Sequence, residues 1–291
     1  MKKRAILYIV FAGIFWGTSG IFVNYLEPYG FTSFQMTGVR AIVSFLCMLV
    51  YSVLRCRSAF RIKPIQLLLF FGIGVSLFFT ASCYYLSMMM TSVSTAVVLM
   101  YTAPIYVMIF SVLFLKERLT RLKLVAVFGM LIGCALVSGV VGGLKFDALG
   151  ILIGAFSGVA YATYNILTKI SVQRKIAPES VTLYGFLFMS LISLFVLEPV
   201  KVVKNASVAP IVTIPLRIGL GIFTFVVPYF LYTLSMKHLS AGTASALAIV
   251  EPMAATLFSI VIFGEKPDLF SVFGIILILG AIFIIGKAEK E

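Results

Sequence analysis

Two ionisable side chains stand deep within long apolar stretches of this sequence. Glu251 lies near the middle of residues 243–263, and Arg40 lies within residues 32–54. About 20 apolar residues are enough for a helix to cross a bilayer, and Glu251 would lie roughly 13 Å into that helix. Because an ionisable group in hydrocarbon is costly unless it is partnered or hydrated, we expect both side chains to face one polar cavity.

The two charges have two interpretations. In the first, the Arg40 guanidinium offers a planar fork to an anion, while Glu251 takes an ammonium group or a transported proton. In the second, the two side chains form a permanent buried ion pair that holds two helices together. We favour the first interpretation, because ionisable groups at membrane depth are functional more often than structural.

Prolines and aromatic residues at a similar depth extend the candidate site. Pro252 follows Glu251 directly, and Pro104 interrupts the apolar residues 93–115. Because proline lacks an N–H and leaves carbonyls of the preceding turn free, we predict helix breaks or gating positions at both. Trp16 either forms a wall of the cavity or packs in the core. The predicted substrate-binding residues are Trp16, Arg40, Tyr101, Tyr161, Asn165 and Glu251.

The composition indicates a polytopic membrane protein. Of 291 residues, 62% are hydrophobic and 11% are charged, with a mean hydropathy of +1.14. Soluble domains carry about a quarter charged residues. The net charge of +13 is scattered between apolar runs, which excludes a nucleic-acid-binding face. We predict an all-α membrane protein with ten transmembrane helices, at 5–24, 32–54, 65–87, 93–115, 122–141, 149–168, 180–198, 212–236, 243–263 and 269–286.

The basic residues predict the orientation of the chain. With the N-terminus inside, seventeen Lys and Arg residues fall in cytoplasmic segments. Only five fall outside, and these are Lys145, Lys201, Lys204, Arg217 and Lys266. This asymmetry predicts a multi-pass protein of the plasma (inner) membrane with both termini in the cytoplasm.

The chain contains an internal repeat. Gly13 and Gly17 correspond to Gly154 and Gly158 at an offset of 141, and Pro104 corresponds to Pro252 at an offset of 148. Each half would contain five helices, and an odd number of crossings inverts the second half in the membrane. We therefore predict two inverted-topology five-helix repeats, residues 1–143 and 144–291, with a site at mid-membrane between them and alternating access to it.

Two smaller features recur in both halves. Glycines four residues apart permit close helix contact, so we expect Gly13, Gly17, Gly20, Gly154 and Gly158 mainly to pack. Glu117 and Glu265 each follow the fourth helix of a half. We expect these two acids to cap loops, and a salt bridge at a gate is the alternative interpretation.

The sequence offers no features of an enzyme or of a cofactor-binding protein. It contains one histidine, His238, no clustered metal ligands and no G-x-x-x-x-G-K-[ST] motif, so we expect no metal, no cofactor and no direct use of ATP. A membrane-embedded enzyme would need clustered acid and base groups, and is the least favoured class. An exporter of lipophilic cations could use Glu251 alone, but Arg40 in the same cavity would repel its substrate.

Four segments carry a resemblance to a known family. They are Trp16-Gly17-Thr18-Ser19, the Arg40 position, Pro104 followed by Leu115-Lys116-Glu117-Arg118, and Glu251-Pro252 followed by Phe263-Gly264-Glu265. These segments resemble the EamA family of the drug/metabolite transporter superfamily over essentially the whole chain. The resemblance implies ten helices in two inverted five-helix repeats and transport of small metabolites, amino acids among them. Relatives include proton-coupled carriers and passive facilitators, so the resemblance leaves coupling open.

The expected function is secondary transport of a small polar metabolite across the plasma membrane. An amino acid is the favoured substrate, because Arg40 and Glu251 complement a carboxylate and an ammonium group. We expect the partners to be this small molecule and the lipid bilayer, with no nucleic acid, and the protein to be a monomer or a weak homodimer.

Overall fold

The computed structural model describes residues 1–117, 120–139, 147–264, 266 and 268–288, with side chains described as far as residue 285. Throughout these ranges the chain forms helices and turns, with no β-strand. Seven helical segments are long and apolar enough to cross a membrane. They are Lys2–Tyr29, Ser33–Arg55, Gln66–Met90, Val93–Leu115, Ala148–Gln173, Pro210–Ser235 and Ala241–Phe263. The chain is therefore an all-helical membrane protein.

Fifteen α-helices make up the described chain. They are α1 (Lys2–Gly17), α2 (Ser19–Leu26), α3 (Ser33–Arg55), α4 (Gln66–Met90), α5 (Val93–Met100), α6 (Ala103–Leu115), α7 (Arg121–Val137), α8 (Ala148–Gln173), α9 (Pro178–Ser193), α10 (Pro199–Val208), α11 (Pro210–Gly221), α12 (Val227–Ser235), α13 (Ala241–Leu247), α14 (Val250–Phe263) and α15 (Leu269–Ala288). The predicted span 180–198 is shorter than expected: α9 ends at Ser193, and the chain turns before Pro199 into the surface helix α10.

Both predicted proline breaks are present. Helix α5 ends at Met100 and α6 begins at Ala103, just before Pro104. Helix α13 ends at Leu247 and α14 begins at Val250, just before Pro252. The cause is the missing N–H of each proline, whose ring also excludes the carbonyl four residues earlier. The confirmed breaks divide two long spans at equivalent positions of the repeat.

Two further irregularities were not predicted. The first span breaks at Thr18 without a proline, and the Thr18 hydroxyl donates to the Phe15 carbonyl at 2.7 Å. A single π-helical turn, Ile222–Val226, separates α11 from α12. This turn precedes Pro228, which cannot donate a hydrogen bond to the carbonyl of residue 224.

Glycines allow helices of the two halves to approach each other closely. A Cβ atom on Gly17 of α1 would lie 2.8 Å from the Cβ of Ala254 on α14. A Cβ on Gly154 of α8 would lie 2.7 Å from a methyl carbon of Leu99 on α5. The packing role predicted for these glycines is confirmed. Gly20 differs, because a Cβ there would meet nothing within 4 Å.

The helix pairs themselves follow the repeat. Helix α1 packs on α14, and their repeat counterparts α8 and α6 pack on each other as well. The last helices of the two halves, α7 and α15, lie against each other, as do the second helices, α3 and α9. These pairings bring residues of both halves to one central region.

Candidate functional site

A cavity of about 380 Å³ lies between the two halves of the chain. Its walls come from α1 to α5, the end of α7, α8, the π-helical turn, α12 and α14. The lining residues are Trp16, Ser19, Gly20, Arg40, Leu77, Thr80, Ala81, Tyr84, Tyr85, Val93, Ser94, Val97, Met100, Tyr101, Val137, Ser138, Tyr161, Thr224, Phe225, Tyr229, Glu251, Pro252, Ala255 and Thr256. Five of the six predicted substrate-binding residues are among them.

Arg40 and Glu251 line this cavity together but do not pair. Both side chains are partly exposed, and in the described part of the chain no salt bridge joins them. The Arg40 guanidinium instead lies over the Phe225 ring, with its central carbon 4.6 Å from the ring centroid. This contact is a cation–π interaction that holds the guanidinium against the ring. The buried ion pair that the sequence left open is therefore absent.

The break before Pro252 explains the position of Glu251. Because α14 begins at Val250, Glu251 lies in the first turn of a helix, where the helix dipole favours a carboxylate. The Glu251 backbone N–H donates to the Ala248 carbonyl at 3.0 Å across the break. The proline break thus converts a mid-span position into a helix N-terminus.

Three donors near the two charges have no acceptor. The Arg40 Nε, the Trp16 Nε1 and the Tyr101 hydroxyl are buried without a hydrogen-bond partner in the protein. The Tyr101 hydroxyl is also close enough to the Glu251 carboxyl to interact with it electrostatically. Unpaired buried donors are costly, so this arrangement favours a ligand that carries acceptor atoms.

Aromatic rings form one side of the cavity. The Trp16 ring contacts the Tyr229 ring edge to face, with ring centroids 5.1 Å apart. The centroids of the Phe225 and Tyr229 rings are 4.7 Å apart. Tyr161 stacks on Tyr164 at 5.8 Å, and Tyr164 contacts Tyr229 at 5.4 Å. The rings form a rigid apolar wall beside the charged groups.

Two predicted site residues lie outside the cavity. Asn165 is fully buried, its amide donates to the Tyr161 carbonyl at 2.7 Å, and its side-chain oxygen accepts from the Tyr232 hydroxyl. It therefore supports the aromatic wall from behind and does not line the cavity as expected. Pro104 is also buried away from the lining, whereas Pro252 reaches it.

Several lining residues were not predicted from the sequence. Tyr84, Tyr85, Thr224, Phe225 and Tyr229 were not selected, because an isolated aromatic or hydroxyl residue in an apolar span has no feature that separates cavity from core. One signal was available for the last two, which lie near Pro228, one of two prolines within the apolar residues 212–236.

At one end of the bundle, the segment 236–241 between α12 and α13 packs into the protein, with Met236, Leu239 and Ala241 buried. Both carboxylate oxygens of Glu117 accept from the Ala241 backbone N–H at 3.1 Å. The buried Lys169 ammonium donates to the carbonyls of Met236 at 2.8 Å and Leu239 at 2.7 Å. Glu117 thus caps a loop as expected. Glu265, Arg118 and the predicted repeat boundary at 143/144 lie outside the described residues.

Metal binding finds no support in the ranges that the structure describes. No group of three His, Cys, Asp or Glu side chains comes together there. The chemistry available to the cavity is that of one guanidinium, one carboxyl group, hydroxyls and aromatic faces.

Known proteins resemble this chain along its whole length. An uncharacterized transporter of Archaeoglobus fulgidus is 30% identical over 278 residues, covering 95% of this chain and 94% of that protein. An uncharacterized transporter of Clostridium kluyveri is 26% identical, covering 99% and 95%. An uncharacterized inner membrane transporter of Salmonella typhimurium, YicL, is 23% identical, covering 99% and 97%.

A solved crystal structure shares the fold. It superposes with a TM-score of 0.79 at 18% identity, covering 100% of this chain and 99% of the other. The model of the EamA-like transporter family matches residues 3–139 and again residues 148–287. These two matches cover nearly all of the sequence, and the chain therefore belongs to the EamA-like transporter family.

Proposed function

We propose that this protein is a secondary transporter of a small polar metabolite, with an amino acid as the favoured substrate. The observation that carries the proposal is that Arg40 and Glu251 line one cavity without pairing with each other. Two opposite charges left apart at membrane depth suit a ligand that brings both complementary charges.

A zwitterion fits the donors and acceptors of the cavity. Its carboxylate would accept from the Arg40 fork and from the Trp16 Nε1, and its ammonium group would donate to Glu251. The Trp16 and Tyr229 rings would contact the apolar part of the ligand. The cavity of about 380 Å³ is within the usual size of small-molecule sites, about 300–1,000 Å³.

Alternating access is supported by a difference between two equivalent helices. Helix α5 contributes Val93, Ser94, Val97 and Met100 to the cavity. Its counterpart in the other half, α13, begins 148 residues later, and all seven of its residues are buried. One end of the bundle is open to the cavity where α5 lies, and the other is sealed where α13 lies. Such a difference between repeats is typical of one state of a carrier that alternates between two.

The proposed architecture is supported by the internal repeat of the sequence and by the two matches of the family model. Ten transmembrane helices would form two inverted five-helix repeats, residues 1–143 and 144–291, related by a pseudo-two-fold axis in the membrane plane. The distribution of basic residues favours an orientation with both termini in the cytoplasm, in which the cavity in this state would open to the outside of the plasma membrane.

Export of lipophilic cations is the second candidate. The aromatic wall of Trp16, Tyr161, Phe225 and Tyr229 favours it, because aromatic faces attract cations. Arg40 in the same cavity opposes it through charge repulsion.

Ligand-induced stabilisation of the purified protein tests the proposal. A ligand at about 100 times its Kd stabilises the folded state by about 2.7 kcal/mol, which raises the thermal unfolding temperature. We expect this rise with an amino acid for the wild type and for Glu179→Gln, an acid outside the cavity, but not for Glu251→Gln. An equal rise in all three proteins would contradict the proposed site.

A further inference from the structure

The closed end of the bundle is held by contacts that join the two halves. Glu117 follows α6 of the first half, and Ala241 begins α13 of the second. Lys123 of α7 also donates to the Ser240 hydroxyl at 3.3 Å. Next to these bonds, a Cβ on Gly242 would lie 3.2 Å from the Met108 side chain of α6. The first half therefore contacts the start of α13 through the Glu117 carboxylate, the Lys123 ammonium group and the close packing of Met108 on Gly242.

The backbone after α6 directs Glu117 to this contact. Lys116 adopts a left-handed conformation with φ 55°, and the Glu117 N–H returns to the Ser111 carbonyl at 3.1 Å. This turn ends α6 in the manner of a helix C-cap and fixes the backbone from which the Glu117 side chain extends. The left-handed conformation of Lys116 costs conformational energy. The hydrogen bonds of Glu117 that follow it offset this cost.

We propose that the bond from the Ala241 N–H to Glu117 is the latch of the closed end, and that Glu117 sets the balance between the two access states. This inference rests on the proposed alternating access. Opening this end requires α13 to leave α6, which separates the Glu117 carboxylate from the Ala241 N–H. A hydrogen bond to a charged group is worth about ten- to a hundredfold in an equilibrium constant. Loss of the latch therefore shifts the population by about that factor.

A second pair of repeat-related residues is hydrogen-bonded in one half and not in the other. Asn165 and Tyr232, toward the closed end, are hydrogen-bonded. Their repeat counterparts, Asn24 and Tyr84, are not joined by a hydrogen bond in this structure, and Asn24 is exposed. The bonded and unbonded pairs lie on the sealed and open sides respectively, as expected if polar contacts form on whichever side is closed.

Two reporter cysteines measure access without any substrate. Val97 lines the cavity, and its counterpart Ser245, 148 residues later, is 1% exposed with a hydroxyl that lacks a hydrogen-bond partner. Each is replaced by cysteine in a protein whose native cysteines are changed to serine, namely Cys47, Cys56, Cys83 and Cys134. Membrane-impermeant maleimide is then applied from each side in vesicles of known orientation.

Two independent variants remove the latch. Glu117→Ala removes both acceptor oxygens. Ala241→Pro removes the donor, and proline is tolerated there because residue 241 is the first of α13 and Ser240 before it is extended, with φ −66° and ψ 154°. Glu179→Ala, which replaces an acid in the first turn of α9, is the matched control.

We expect both latch variants to raise labelling of S245C about tenfold or more and to lower labelling of V97C, with no further change when combined. The control should resemble the wild type. Unchanged labelling in either variant, or a parallel rise at both cysteines as in a loosened fold, would overturn the proposal. Because labelling needs no substrate, a protein that moves no amino acid but shows the expected shift would reject the proposed substrate and leave the latch intact.

Discussion

Arg40 and Glu251 face one cavity from different halves of the chain, and neither neutralises the other. Arg40 is held by the Phe225 ring and Glu251 by the start of α14. Arg40 of the first half is thus positioned by a ring of the second half, and both charges remain available to a third molecule. A substrate that bridges them would connect the two halves, which is how binding could be coupled to their relative movement.

The Glu251→Gln variant should fold normally. Removing one partner of a buried ion pair costs about 3–5 kcal/mol, but this carboxyl group has no such partner. We expect the free energy of unfolding to change by less than about 1 kcal/mol, while transport falls at least about tenfold. Denaturant unfolding in detergent and uptake by proteoliposomes provide the two measurements. A destabilisation in the ion-pair range would instead indicate a structural lock.

The Arg40→Lys variant should weaken substrate binding while retaining the positive charge. Lysine lacks the planar fork that binds a carboxylate through two parallel hydrogen bonds. We expect KM for an amino acid to rise about tenfold, since a charge-assisted hydrogen bond is worth about that factor. Transport kinetics in proteoliposomes measure it. An unchanged KM would remove Arg40 from the proposed site.

Gly17 and Gly20 form a matched pair for the packing of α1. A methyl group at Gly17 would collide with Ala254 and Ala255, whereas one at Gly20 meets open space. We expect Gly17→Ala to lower the free energy of unfolding by about 1–3 kcal/mol and Gly20→Ala to leave it unchanged. Thermal unfolding of both purified variants measures the two stabilities. Equal stabilities would mean that α1 and α14 do not pack as closely as described.

Asn165 should contribute to stability and not to substrate affinity. Asn165→Ala leaves the buried Tyr232 hydroxyl without its acceptor, which costs about 1–3 kcal/mol. Tyr232→Phe should be less harmful in the Asn165→Ala background than alone, because the bond is already lost. We expect an unchanged KM for Asn165→Ala. A KM that rises without loss of stability would restore Asn165 to the substrate site.

Most of the site could be predicted from the sequence because of its charged residues and prolines. An ionisable residue in an apolar span and a proline in a helix each carry a cost, so Arg40, Glu251 and Pro252 marked the cavity without any structure. Repetition added the second break at Pro104. Trp16, Tyr101 and Tyr161 followed from their depth beside these residues, and the cavity includes all three.

The remainder depended on tertiary contacts. Nothing in the local sequence distinguishes Tyr229, which lines the cavity, from Tyr232, three residues later and fully buried. Asn165 has the polarity of a binding residue, yet its rotation about α8 directs it to Tyr232. The helix break at Thr18 could not be predicted, because no proline lies there. Packing between the halves sets the rotation of each helix about its axis. This rotation decides which side chains face the cavity.

Counterflow in proteoliposomes tests the central claim most directly. Vesicles containing the wild-type protein are loaded with an unlabelled amino acid, and entry of the labelled compound is compared with entry of its amine, which lacks the carboxylate, and of its acid, which lacks the ammonium group. We expect counterflow of at least one amino acid, with entry of both analogues at least about tenfold slower because each leaves Arg40 or Glu251 unpaired. Entry of the amine at the rate of the amino acid, or no counterflow of any amino acid, would contradict the account.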